Sequence, residues 1–357
     1  MALKAENSLP VEVVFHPSWW HKHEGIIFDR DFFFDPQKRV EEELHMEKAL
    51  YERWGKHGLG AWQDRPRPVI GPIHLAAGFL LSGMMGCGII FQPGGSPQVA
   101  AVDRPLSALD VEAAFSSTLF RDFLALTESL KEKFGYLTGD VDWNGILNIA
   151  LDLHGQGIFL EMADNPEAVK LLFHKIAAVE ERFFRLVHSL TGSTSIAVNR
   201  TVRHFPDPIL LHSHCSHTMI GEAHYREFLL PFDRRWAKGY PPYGIHYCGP
   251  DPHRFLPAYR EIPGLAFLDV GWGGDVAAIR AALPDTFLNI RLNPVEIVHM
   301  SPAEIEAVIT GKVRASGEPE KTGVCCINID DTVSEEQISA IFETATKLRE
   351  TIGKEAS

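Results

Sequence analysis

The stretch Tyr243-Gly244-Ile245-His246-Tyr247-Cys248-Gly249-Pro250 is a short apolar run closed by a Gly-Pro turn. It reads as a β-strand that ends at a loop mouth. Similar unbroken apolar runs occupy 195–199, 209–212, 266–270, 287–292 and 323–329. Helical periodicity fills 40–57, 111–134, 166–190, 222–238 and 335–352. Some helices carry start signals, with Asn165-Pro166-Glu167 at one entrance and the capping box Ser301-Pro302-Ala303-Glu304 at another. Strands without polar alternation, spaced by helices, belong to a parallel sheet covered on its faces. The fold class expected is therefore α/β, a (βα)8 TIM barrel with an N-terminal extension. Residues 1–100 break the rhythm and form the extension packed on the barrel; residues 101–357 form the barrel.

Composition narrows the function classes. The chain has 357 residues, 45% hydrophobic and 23% charged, enough for one large core. A formal net charge of −13 disfavours nucleic acid or an anionic membrane as partner, since both attract basic surfaces. The longest apolar stretch, 75–91, is interrupted by Gly78, Gly83, Gly86 and Gly88, and no basic leader precedes the fold. A cytoplasmic enzyme is expected. Five cysteines without the spacing of a disulfide scaffold read as reduced thiols.

Alternation along a strand puts His246 and Cys248 on one face. A third soft ligand from another strand completes a catalytic type of zinc site, with its fourth position free for substrate. Cys325, in Gly323-Val324-Cys325-Cys326, is the candidate; Cys326 must face the other way. The rival reading is a core histidine beside an inert cysteine. The segment His212-Ser213-His214-Cys215-Ser216-His217 is dense in potential ligands. His212 and His214 are taken there as proton-handling catalytic groups and His217 as a substrate contact, against the plain alternative of a His-rich surface loop. Trp19 and Trp20, in an aromatic run from Phe15 to Phe34, are candidate substrate contacts, although paired tryptophans are more often core.

His246-x-Cys248 with the later Cys325 resembles the zinc motif of corrinoid-dependent methyltransferases in the uroporphyrinogen decarboxylase superfamily. Glu222–Phe232 resembles that superfamily's helix with a Tyr, a Glu-Phe pair and a Pro, and Arg291-Leu292-Asn293-Pro294 resembles its Gly-Asn-x-Pro strand end. The resemblance implies a (βα)8 barrel, zinc on His246, Cys248 and Cys325, an acidic fourth ligand near Asp269, and Asn293 beside the substrate. Local capping of the turn at Gly271 is the other reading of Asp269. The arginine-bearing opening segment of the decarboxylases is missing, which argues against decarboxylation. The aromatic Phe15–Phe34 region instead resembles the methyltransferase I component of O-demethylases.

That likeness implies transfer of a methyl group from an aryl methyl ether to the Co(I) corrinoid of a partner protein. The corrinoid must be partner-borne because no Asp-x-His-x-x-Gly loop with its usual flanks occurs in this chain. The same ligands serve the reverse assignment, methylcobamide to a thiol or to tetrahydrofolate. A metal-free lyase and a non-catalytic binding protein are the readings from other classes.

Overall fold

The computed structural model describes residues 8–62, 66–70 and 78–355, together with Leu3 and Ala5. Arg65 and residues 75–77 of the apolar stretch lie outside the described residues. The strands are β1 (Val11–Phe15), β2 (Gly88–Gln92), β3 (Gly95–Ala100), β4 (Leu210–Ser213), β5 (Tyr243–His246), β6 (Leu265–Val270), β7 (Phe287–Leu292) and β8 (Thr322–Ile329). Six of them make one parallel sheet in the order β1-β8-β7-β6-β5-β4, while β2 and β3 form a separate antiparallel hairpin.

The closed eight-stranded barrel is thus replaced, among the described residues, by a curled six-stranded sheet. Two departures explain the difference. The stretch at 195–199 does not pair as a strand, because the Asn199 side chain accepts the Thr201 amide and starts a short 3-10 helix, Arg200–His204. Between β1 and β4, the described residues outside the β2–β3 hairpin show strand pairing only as an isolated parallel bridge, Val69 to Thr138. The 3-10 segment fills space that closing strands would take. Arg200 and His204 both reach the Glu12 carboxylate on β1, and Phe205 packs edge-on against Phe287 at 4.8 Å and Phe267 at 5.9 Å.

The boundary placed at residue 100 does not follow the sheet, since β1 pairs with β8 in parallel. His16 caps a helix over Pro17–Glu24 by accepting the Ser18 amide. That turn sends Trp19 and Trp20 inward: Trp19 lies 4.5 Å from Phe15 and 4.9 Å from Trp20 by ring centroids, and both indoles are buried. The expected substrate contacts are therefore part of an aromatic core that also takes in Trp54.

The outer layer is built by amphipathic helices. In Pro302–Ser316, Ile305, Ile309 and Val313 are buried at four-residue spacing, and the capping box at Ser301 and Glu304 is made in both directions. Each such side chain contributes about 1.5–3 kcal/mol on burial. Helices Pro166–Thr191 and Leu230–Gly239 cover the β4–β5 side through Phe184 and Trp236, whose rings meet edge-on. Among the described residues no helix is long and apolar enough to cross a membrane.

Candidate metal centre

Register across the sheet puts Ser213, His246, Asp269 and Asn289 in one row of neighbouring strands. His246 is buried, and its Nδ1 lies 2.5 Å from Asp269 Oδ2. Asp269 in turn accepts the side-chain amides of Asn199 at 2.5 Å and Asn289 at 2.6 Å. With three donors on it, Asp269 keeps one acceptor site at Oδ1, which accepts only from Asn289, and it orients the imidazole. This places the His246 proton on Nδ1 and leaves the Nε2 lone pair free, the arrangement of metal-binding histidines backed by carboxylates. Burial pushes the His246 pKa below its ordinary value, despite Asp269, which keeps the ring neutral near pH 7.

His246 Nε2 faces sulfur. Cys248 Sγ lies 3.1 Å away. The third member of the group is Cys215, from the short 3-10 helix Cys215–Met219 that follows β4. Its sulfur is joined to that of Cys248 as a disulfide, with Cα atoms 5.0 Å apart, so the reduced thiols expected from the sequence are found at Cys87, Cys325 and Cys326 but not at this pair. Reduction of that bond frees two thiols beside the His246 ring, and only the thiolate is a metal ligand. The donor atoms of Cys215, His246 and Cys248 all lie within 4.8 Å of one another. Backbone close approach fixes the loop around Cys248: a Cβ on Gly271 would collide with the Gly249 carbonyl.

Cys325 does not join this group. It lies on β8 in register with Arg291, and its thiol accepts from Asn289 Nδ2 at 3.2 Å. Burial, with the Asp269 charge nearby, drives its pKa well up. The physical reason is depth: Cys325 lies mid-strand, whereas Cys215 and Cys248 lie beyond the C-terminal ends of β4 and β5. Asn293, expected beside substrate, caps helix Pro294–Ile297 by accepting the Val295 amide. Asp269→Asn is expected to weaken zinc binding roughly 10- to 100-fold, since the amide has one acceptor oxygen, for which His246, Asn199 and Asn289 compete, and no charge to support the imidazole. Competition with a chromophoric chelator measures this, and an unchanged affinity would sever Asp269 from the site.

The remaining histidines form a second buried group. His212 faces the helical layer, opposite to Ser213 and His246. Its Nδ1 meets Asp233 Oδ1 at 2.7 Å and its ring stands edge-on to Trp236. His214 Nε2 reaches the same oxygen at 3.2 Å, and Tyr243 and Tyr225 donate to the Asp233 carboxylate at 2.6 and 2.5 Å. Although burial alone would raise it, these donors and the histidine charges hold the Asp233 pKa well below the usual carboxylate range. His217 stacks on His214 at 3.8 Å, and burial pushes both of their pKa values down, that of His217 strongly. The donor atoms of His212, His214 and Asp233 also fall within 4.8 Å of one another. The carboxylate accepts four hydrogen bonds, while His212 Nε2 and both ring nitrogens of His217 are buried without a partner among the described residues. His212 and His214, expected as proton-handling groups, and His217, expected as a substrate contact, come together in this buried group, beside the loop that carries Cys215.

No protein-family model matches the chain, and none of the curated proteins does. Among solved structures it is similar to a methyltransferase from Methanosarcina mazei, with a TM-score of 0.64 and 13% identity over 96% of this chain and 94% of that one. It is also similar to a B12-independent methionine synthase from a Shewanella species in complex with selenomethionine. That match has a TM-score of 0.51 and 8% identity over 99% of each chain. At these identities the likeness is one of fold.

Proposed function

We propose that this chain is a methyltransferase in which Cys215, His246 and Cys248 hold a zinc ion and the methyl acceptor is a small-molecule thiol. The observation that carries the reading is the convergence of two sulfurs and one imidazole nitrogen, whose tautomer is set by Asp269. With the Cys215–Cys248 bond reduced, two thiolates and a neutral imidazole are a soft donor set suited to zinc, with one coordination position open. When bound, zinc lowers the pKa of a thiol in that open position, so that a thiolate is present at neutral pH. The fold neighbours, named as a methyltransferase and a methionine synthase, support methyl transfer as the reaction class.

The chain's own residues do the positioning. His246 keeps its Nδ1 proton on Asp269, and Asn199 and Asn289 keep Asp269 in place. Asp233 and its histidines hold the Cys215 loop against the end of β5, where the His214 amide donates to the His246 carbonyl at 2.7 Å. The methyl donor proposed is a methylcobamide carried by a separate corrinoid protein. Demethylation of an aryl methyl ether onto a Co(I) corrinoid is the opposite direction on the same ligands. Its motivating feature, an aromatic entrance, is weakened by the burial of Trp19 and Trp20 in the core.

The test runs both directions with zinc-loaded protein. Methylcobalamin plus 3-mercaptopropionate is expected to show enzyme-dependent loss of methylcobalamin absorbance and formation of the thioether. Turnover of a methoxylated phenol with reduced cobalamin, without thiol methylation, would reverse the assignment.

A further inference from the structure

Arg291 lies on β7, two residues beyond Asn289 toward the C-terminal end of the sheet, and shares its face. It is only 3% exposed. Its one hydrogen bond among the described residues runs from Nη1 to the carbonyl of Tyr247, the residue between His246 and Cys248, at a long 3.5 Å. Its Nε is buried with no partner, and among the described residues no carboxylate stands within ion-pair distance. A buried guanidinium in this condition is expensive, because desolvation is not offset.

Arg280 shows how this same fold treats a structural arginine. It is nearly as buried, and its guanidinium donates to the carbonyls of Ser316, Leu283, Pro284, Thr286 and Lys321. Arg291 has no such set of acceptors. It has instead a half-buried Trp272 ring 5.8 Å from its guanidinium carbon and the metal-ligand loop beside it. Its Nη1 contact with the Tyr247 carbonyl and its register with Cys325 place it beside the same centre.

We propose that Arg291 is the substrate-anion receptor of this site: the molecule that gains or loses the methyl group carries a carboxylate, which the guanidinium fork binds while Trp272 flanks it. This rests on the reading of Cys215, His246 and Cys248 as the reacting centre. The planar fork donates two parallel hydrogen bonds to a carboxylate, and the carboxylate supplies the counter-charge that no described residue offers Arg291. A sulfonate offers similar oxygens, and the probes separate the two.

The experiment is calorimetric binding to the zinc-loaded protein. The probes are 3-mercaptopropionate, 2-mercaptoethanesulfonate and neutral 2-mercaptoethanol, then 3-methoxybenzoate and neutral 3-methoxybenzyl alcohol. Wild type is expected to favour carboxylated over neutral probes by on the order of 10- to 100-fold, with the sulfonate weaker. Arg291→Gln removes that preference and leaves neutral binding unchanged, while Arg291→Lys retains part of it. Without ligand, Arg291→Gln also raises the melting temperature, an effect a structural arginine would not produce.

Preference for the sulfonate over the carboxylate moves the substrate class and overturns the carboxylate assignment. Equal weakening of charged and neutral probes in Arg291→Gln, or a preference that survives the substitution, overturns the receptor. So does failure of every charged probe to bind. The two readings fail separately. If thiols do not bind but 3-methoxybenzoate binds through Arg291, the thiol acceptor falls and the receptor stands. If thiols bind without regard to charge, the receptor falls and the thiol acceptor stands.

Discussion

Cys215→Ser is expected to drop bound zinc from about one ion per chain to near none, and Cys248→Ser to do the same, whereas Cys325→Ser retains the metal. The reason is geometric. Cys215 and Cys248 are in sulfur contact beside His246 Nε2, while the Cys325 thiol is engaged lower in the sheet by Asn289. A serine hydroxyl stays protonated at neutral pH and makes a poor zinc ligand, so loss of one thiolate leaves two protein donors. Elemental analysis of proteins purified under reducing conditions reads the result, with circular dichroism to show that each variant folds. The opposite pattern, zinc lost from Cys325→Ser and kept in Cys215→Ser, would restore the ligand set implied by the sequence resemblance and remove Cys215 from the site.

Asp233→Asn is expected to destabilise the fold by about 3–5 kcal/mol at pH 7, measured by urea unfolding. Asp233 accepts from His212, His214, Tyr225 and Tyr243 in a fully buried setting, and an amide cannot accept all four while placing its own N–H groups. The pH dependence has a definite sign. Burial lowers the pKa of His214 and His217, so below the ordinary histidine value of 6.5 the unfolded chain takes up protons that the folded chain refuses. Stability therefore falls as the solution is acidified from neutral. The Asp233 contribution is fully present above the ordinary carboxylate value of 3.8 and disappears as pH falls through its lower folded value. The variant should lose this second, more acidic component. A change under 1 kcal/mol, with an unaltered acid limb, would mean that the carboxylate is not the anchor of the Cys215 loop.

What was legible in the sequence was local. The Gly-Pro turn marks the strand end, and the closeness of His246 and Cys248 is expected from their spacing, although β5 ends at His246 and the loop after it, rather than strand alternation, carries Cys248. Cys215 was harder to assign, because its place depends on a loop folding back after β4, and its neighbours His212 and His214 drew attention as ligands in their own right. Only the tertiary position of Asp233 and Trp236 turns those rings away from the Cys-His group. Trp19 and Trp20 carry no signal that separates an aromatic core from an aromatic entrance; the cap at His16 decides it. The run at 195–199 is apolar enough for a strand, yet Asn199 spends its side chain on Thr201 and Asp269 and ends the pairing. Arg291 could not be singled out either, since an arginine without a counter-charge is a property of the folded interior.

The pairing of β1 with β8 joins Val11 to Val324, and Arg349 ties the same end down by donating to the carbonyls of Ser8 and Leu9. During synthesis the first strand thus leaves the ribosome long before its partner exists. Until β8 emerges, the Val13, Val14 and Phe15 side chains and one row of backbone donors must wait unpaired, a condition that favours chaperone capture or self-association. Ring closure of this length is also slow, because a large loop entropy is lost before the contact forms. Among the described strands β8 is made last and joins β1 to the rest of the sheet, so a ribosome that stalls before it releases a chain whose β1 has no partner.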